Sequence, residues 1–303
     1  MRAVKKVTSQ LKLSIIGSGV VGYASGLGFI KRNLDVTFLD IDPKRVAFLR
    51  SKGYKAYVTS ELNGQNDFDI SFLSVSTPTV NGLINLTNLK EACKDLGKRL
   101  ANSDKYHLVV DRSTLLPGTT RNLIIKTLEE YSGKKAGKDF GVCMNPEYLR
   151  EATAESDFTK PWIIVIGEYD KKSGDTLEAL YSVFDAPIYR VTLEEAEIQK
   201  YIHNLFNAVK IAYFNEFRDI CNDLNLNTQN ILDLVAKSCE GMWNPAYGVR
   251  DFGPFKGSCL PKDTEAFLSY AKTKGYDAKV LEATIKANYT LIDRINTKEN
   301  NKK

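Results

Sequence analysis

Along the first half of the chain, short apolar runs alternate with longer amphipathic stretches. Leu11-Lys12-Leu13-Ser14-Ile15-Ile16 is a β-rich run ending at Gly17, and Val36-Thr37-Phe38-Leu39 is a second ending at Asp40. Segments 69–75, 107–110, 140–144 and 162–167 repeat the pattern, with helical stretches between them. Strands at these intervals, separated by helices, predict an α/β fold with a doubly wound parallel sheet. From Leu193 the character changes. Residues 194–226 contain neither Gly nor Pro, and Ile198, Tyr201, Ile202, Leu205, Ala208, Val209, Ala212 and Tyr213 recur at threes and fours. That spacing predicts one long central helix. Further helices are expected over 228–238, about 263–274 and 279–294, with a Gly/Pro-rich loop from Gly241 to Pro261 and a solvated tail from Thr297. Two domains follow, 1–193 and 194–303, the second smaller and all-α.

The polar residues gather where the apolar runs stop. Gly17, Gly19 and Gly22, with Val20 and Val21 between the last two, form G-x-G-x-x-G after the first strand. The first glycine permits a sharp turn, the second lets the backbone approach a pyrophosphate, and the third lets the following helix pack on the strand. The helix N-terminus offers free N–H groups to phosphates. Asp40, ending the next strand, is placed to bind an adenosine ribose, which favours NAD over NADP. Three glycines alone also suit a turn with no ligand; the flanking strands and the acid at this distance favour the Rossmann-like reading. Asp42 reads as a helix cap before Pro43. Ser76-Thr77-Pro78-Thr79, the stretch from Asp111 through Thr114 to Thr120, and Asn145-Pro146-Glu147 all fall at the carboxyl ends of strands. Ligands of such sheets bind there.

Composition narrows the class. The 303 residues are 43% hydrophobic and 26% charged, with 42 Lys+Arg against 37 Asp+Glu. This is soluble composition, and an excess of +5 is too weak to indicate nucleic-acid binding. Five scattered cysteines without a CxxC read as reduced thiols, and two histidines make a histidine-built zinc site improbable. The basic-then-apolar start imitates a secretory signal, but its apolar run is short and glycine-broken. A cytoplasmic, non-membrane protein is expected.

Two places carry candidate chemistry. Lys200 and Asn204 lie four apart on the long helix and so share a face. Aimed at a cleft, such a pair polarises or deprotonates a substrate hydroxyl and holds an oxyanion; the spacing equally suits a solvated pair. Cys259 lies in a glycine-rich loop just before a helix, with Pro261 at a first-turn position, Lys262 beside it and Asp263 four residues on. A thiol so placed has a lowered pKa, although a small buried cysteine fits the same residues. Cys93, Cys143, Cys221 and Cys239 read as packing.

IIGSGVVG with Asp40, the STPT strand end, RSTLLPGTT, NPEYLREATAESDF, EAEIQKYIHNLFNAVKIAYFNE and KGSCLPKD follow one another along nearly the whole chain. In this set and order the sequence resembles the UDP-glucose/GDP-mannose (nucleotide-sugar) dehydrogenase family. The resemblance implies a double oxidation of a sugar primary alcohol to an acid with two NAD⁺, through a thiohemiacetal and then a thioester on Cys259. By the same resemblance Lys200 is the active-site lysine, Asn204 its amide partner, Asp263 and Thr114 the water-handling pair, and Glu147 an acid–base group. Glu151 falls near the nicotinamide. The cofactor set is then Gly17, Gly19, Val20, Val21, Gly22, Asp40, Ser76, Thr77, Pro78, Thr114, Glu151 and Lys262. Glu147, Tyr148, Leu149, Lys200, Asn204, Lys256 and Gly257 form the substrate set.

Three departures stand beside the resemblance. Family members usually continue for a third domain that closes over the nucleotide, whereas this sequence stops at Lys303, as a short form would. Lys256-Gly257 stands where Gly-Gly is common. The arginine that family dimers send across the interface is not evident, Arg250 being a substitute. A homodimer through the helix starting near Glu194 is expected. Two other readings remain: a two-domain 3-hydroxyacid-type dehydrogenase, which needs no thiol, and a non-catalytic NAD-binding remnant.

Overall fold

The computed structural model describes residues 11–245, 247–248, 253–257 and 260–300. The chain divides into two compact units between His203 and Asn204, inside the long helix and beyond the boundary that the sequence pattern predicts.

The first unit is built on an eight-stranded sheet. Its strands are β1 (Lys12–Ile16), β2 (Asp35–Asp40), β3 (Ala56–Val58), β4 (Ile70–Leu73), β7 (His107–Asp111), β8 (Phe140–Met144), β9 (Ile164–Glu168) and β10 (Ile188–Thr192). A separate hairpin pairs β5 (Thr79–Val80) with β6 (Leu83–Ile84). The sheet order is β10-β9-β8-β7-β4-β1-β2-β3, so strand order reverses between β1 and β4. Such a reversal opens a crevice at the carboxyl ends of these two strands.

The sheet is mostly parallel, as the sequence pattern predicts, with one antiparallel pairing. β8 and β9 run antiparallel, with Met144 opposite Gly167, and β10 is parallel to β9. A parallel return needs a crossover helix able to span the sheet. The one α-helix of the β8–β9 connection is Ala154–Thr159, six residues or roughly 9 Å long. That short helix docks on helix Val20–Ile30, where Phe158 lies so close to Gly28 that a Cβ there would meet its ring at 2.0 Å. The connection therefore stays near the carboxyl edge, and β9 re-enters from that side.

Period-2 alternation sends Leu13, Ile15, Phe38, Ile70, Phe72 and Val110 to one face. There they meet Phe29, Leu49, Leu177 and Phe184. Ile16, Leu39, Leu73, Val109 and Val142 point to the other face, against Leu89, Leu96, Leu128, Leu193 and Ala196. The sheet is thus covered on both sides. The long helix Leu193–Asp223 begins directly after β10.

The second unit contains the remainder of that helix with Thr228–Ser238, Glu240–Trp243, Leu260–Lys274 and Lys279–Asn300. Ala271, Ala278 and Leu281 form its small core with Phe267, Leu268 and Ile285 against them. Glu216 accepts the Val280 N–H at 2.8 Å and so caps the last helix. That helix runs to Asn300, so the expected solvated tail begins later than Thr297. Thr297–Asn300 contain no Gly or Pro to stop it. Among the described residues no helix is long and apolar enough to cross a membrane.

Candidate active site

The crevice starts at the β1 turn. Gly17 has φ +87°, and its N–H bonds the Leu39 carbonyl at 2.8 Å. A Cβ on Gly17 would lie 2.6 Å from the Ser74 carbonyl oxygen, and one on Gly22 would lie 2.0 Å from that of Gly17. Side chains at either position would force the strand ends and the helix apart. Gly19 is different. No neighbouring atom comes within 4 Å of the position its Cβ would take. Helix Val20–Ile30 has no side-chain cap and no acid in its first turn, so its leading N–H groups and positive dipole end remain available to an anion. Val20 is exposed beside them, and Val21 is half-buried.

Asp40 borders the same crevice. Its Oδ2 accepts the Ser18 N–H at 2.8 Å and the Ser18 hydroxyl at 2.5 Å, and its Oδ1 accepts the Asp42 N–H at 3.0 Å. Partial burial pushes the carboxyl up, but these hydrogen bonds outweigh it and hold the group below its ordinary range. Asp42 itself accepts the Lys44 N–H at 2.9 Å and caps the next helix. Nothing in the sequence pattern singles out Arg45. Its Nε donates to the Ser18 carbonyl at 2.8 Å, and its guanidinium lies over the rings of Tyr23 and Phe48. This puts a fixed cation beside Gly19 and Val20. Uncapped amides, the open position at Gly19 and an ionised acid one strand away fit a dinucleotide.

The ends of β4 and β7 form the next wall. Ser76 and Pro78 are exposed, while Thr77 is half-buried and donates its hydroxyl to the Thr114 carbonyl at 3.2 Å. Ser113 likewise donates to the Val75 carbonyl at 3.1 Å. After Pro78 the chain enters the β5–β6 hairpin through Asn81 and Gly82, both at positive φ. Asn-Gly is the hairpin turn that this backbone demands.

The Asn145-Pro146-Glu147 segment leaves β8 beside them. Asn145 is held by Tyr181, whose hydroxyl donates at 2.6 Å, and donates in turn to the Val165 carbonyl at 2.7 Å. Glu147 turns back on its own segment, accepting the Leu149 N–H at 2.7 Å. Lys200 reaches this carboxylate from the long helix: its Nζ lies 3.0 Å from Glu147 Oε1 and also donates to the Glu147 carbonyl. Lys200 is only 5% exposed, which removes the solvated alternative for it. Tyr148 donates to Gln199, and its ring centroid lies 4.9 Å from that of His203. Burial pushes the Tyr148 phenol up to about 12. Burial and the Lys200 charge pull His203 down. Downstream, Arg150 grips Asp157 through two nitrogens at 3.0 and 2.6 Å, fixing the loop between them. Glu151 opens the short turn Glu151–Thr153; its side chain lies outside the described residues.

The second unit holds the remaining candidates. Asn204 is exposed. Asp263 sits in the first turn of helix Leu260–Lys274 and pairs with Lys262, Nζ to Oδ1 2.5 Å, both largely exposed. Lys256 and Gly257 are exposed, with Gly257 at φ +92°. Asn288, 8% exposed on the last helix, accepts the Phe255 N–H at 2.7 Å and donates to the Phe255 carbonyl at 3.1 Å. It anchors the start of the glycine loop, a role with no signature at this sequence distance. Cys259 and Arg250 lie outside the described residues. Among the described residues no group of three His, Cys, Asp or Glu side chains suits a metal ion.

Comparison with known proteins decides the family. Residues 11–185 match the NAD binding domain of the UDP-glucose/GDP-mannose dehydrogenase family, and residues 194–290 match its central domain. The chain belongs to this family.

The match to the family's NAD binding domain thus covers the glycine turn and every strand of the sheet except β10. GDP-mannose 6-dehydrogenase of Pseudomonas syringae pv. tomato is 36% identical over 298 residues, covering 92% of this chain and 68% of that protein. UDP-glucose 6-dehydrogenase of Haloferax volcanii is 34% identical, covering 92% and 69%. A solved ternary complex of GDP-mannose dehydrogenase from Pseudomonas aeruginosa superposes with a TM-score of 0.87 at 33% identity, over 93% of this chain and 69% of that one. The chain therefore spans about two thirds of the length of these relatives. The family and these relatives are NAD-dependent nucleotide-sugar dehydrogenases.

Proposed function

We propose that this chain oxidises the primary alcohol of a sugar nucleotide to the acid in two successive dehydrogenations. The observation that carries this reading is the buried Lys200 ammonium on Glu147, at the carboxyl edge of a sheet whose β1 turn leaves its helix amides uncapped. Gly19 and the first turn of helix Val20–Ile30 hold the pyrophosphate, and Asp40 holds the adenosine ribose. When bound, NAD⁺ supplies the hydride acceptor for both oxidations.

The remaining chemistry belongs to the side chains. Lys200, turned inward as the ammonium, stabilises the developing alkoxide, and the Glu147 carboxylate 3.0 Å from it takes or relays the hydroxyl proton. Cys259, carried from the sequence, attacks the intermediate aldehyde, and its sulfur retains the acyl group until water releases the acid. Asp263 and Thr114 handle that water, and Asn204 steadies the oxyanion. The single-oxidation hydroxyacid reading leaves the cysteine loop without a task, and a non-catalytic role leaves the buried ion pair without one.

GDP-mannose and UDP-glucose are the substrates that the relatives' names put first. The test is stoichiometry. The chain is incubated with NAD⁺ and each sugar nucleotide, and NADH is counted against acid formed. Two NADH per acid supports the reading; one NADH with a small hydroxyacid, or none with any sugar nucleotide, overturns it. We also propose a homodimer through the long helix, where Ile202, Leu205, Phe206 and Val209 are each about 60% exposed. An apolar stripe of this length is ill-suited to water. A monomeric mass by light scattering would remove the dimer.

A further inference from the structure

The first two turns of the long helix hold the loops of the candidate site. Glu194 accepts Arg121 Nε at 2.6 Å, Gln199 accepts the Tyr148 hydroxyl, and Lys200 holds Glu147. Among them Glu197 is fully buried, at 0% exposure. Its Oε1 accepts the Thr120 N–H at 2.7 Å, and its Oε2 accepts the Gly118 N–H at 2.5 Å. No ion pair to Glu197 occurs among the described residues, so two backbone amides compensate its carboxylate.

Those amides are informative. Thr120 begins the π-helical turn Thr120–Ile125, which continues into helix Lys126–Ser132, and Gly118 at φ +86° closes the loop that carries Thr114. Two helix starts therefore follow strands at the carboxyl edge with opposite fates. The one after Gly19 is uncapped. The one at Thr120 is filled by the protein's own carboxylate, and so offers no anion site.

Glu197 and Lys200 lie three apart, on neighbouring positions of one helical face. The carboxylate grips the Thr114 loop while the ammonium grips the Glu147 segment. We propose that Glu197 is a positioning residue, fixing the distance between the Thr114 loop and the turn that presents Lys200. This rests on the functional reading above and adds to it a group that touches neither substrate nor cofactor. A carboxylate is suited to the task because both oxygens accept, whereas an amide presents one acceptor and one donor to the same two N–H groups.

The test uses the full chain with Glu197→Gln and Glu197→Asp, and Leu177→Ala as a core control that weakens the fold without touching either loop. Two quantities are read well below each melting temperature: kcat with its KM values, and amide hydrogen exchange of the segment 112–120. For Glu197→Gln, exchange of that segment should rise at least tenfold and kcat should fall at least tenfold, with KM for NAD⁺ within about twofold. Glu197→Asp, which keeps the charge and shortens the reach, should fall between. Leu177→Ala should lower the melting temperature and leave kcat alone. Unchanged exchange overturns the proposal, as does raised exchange with unchanged kcat, since the glutamate is then a helix cap only. Should Glu197→Gln fail to fold, Glu197→Asp decides by the same criteria. If the parent chain makes no NADH with any sugar nucleotide, the functional reading fails, and unprotected amides in the parent's 112–120 segment would independently defeat the Glu197 grip.

Discussion

Lys200 Nζ lies 3.0 Å from Glu147 Oε1, with both side chains nearly withdrawn from solvent. The two residues are 53 apart in sequence, one leaving the end of β8 and the other on the second turn of the long helix. Breaking such a pair strands a charge in a poorly solvated place. Lys200→Met should therefore destabilise the first unit by about 3 kcal/mol, read by urea titration. It should also lower turnover by roughly 10²- to 10⁴-fold. A stable variant with undiminished turnover would leave the pair with a purely structural part.

The glycine turn separates folding from binding. Gly19→Ala adds a methyl that meets no neighbouring atom, so stability should stay within about 1 kcal/mol of the parent. The methyl projects into the space assigned to the pyrophosphate, so affinity for NAD⁺ should drop at least tenfold by titration calorimetry. Gly22→Ala should do the reverse and compromise folding, because its methyl would stand 2.0 Å from the Gly17 carbonyl oxygen. Equal NAD⁺ affinity in Gly19→Ala would move the phosphate site elsewhere.

The contrast between these glycines explains what the sequence discloses. A turn that demands φ +87° and close approach of backbones leaves its mark as glycine, so β1, the turn and Asp40 are legible from local pattern. The Asn81-Gly82 hairpin carried an equally local mark. The antiparallel entry of β9 did not, because it depends on a six-residue helix docking on Gly28 rather than on β9's own residues. Lys200 and Glu147 were each legible by family likeness, but their pairing was not. Glu197 and Asn288 are ordinary polar residues on amphipathic helices, and only tertiary contact reveals that their acceptors meet the backbones of Thr120 and Phe255.

Cys259→Ser separates the two oxidations. On the proposed mechanism the aldehyde then has no sulfur nucleophile to capture it, so net acid formation should fall below detection while NAD⁺ affinity stays within about twofold. The measurements are acid by chromatography and NAD⁺ binding by calorimetry. Acid production at the parent rate would take Cys259 out of the mechanism.

His107 should set an acid limit on the first unit. It is fully buried in β7, where desolvation pulls its imidazole down to about 4, against the raising effect of the hydrogen bond to the Phe68 carbonyl. Nearby Arg99 and Lys105 lower it further, and Asp69 opposes them. Between the unfolded value near 6.5 and the folded value, the unfolded chain binds a proton that the folded chain does not. Stability from this group is therefore fully present above about pH 6.5 and declines as pH falls toward 4. A shift of this size corresponds to roughly 3 kcal/mol across that window. His107→Gln, which cannot protonate, should flatten this part of the urea-midpoint profile relative to the parent between pH 7 and 4. Parallel profiles for the two proteins would show that the imidazole reaches solvent in the folded state and that other groups govern the acid transition.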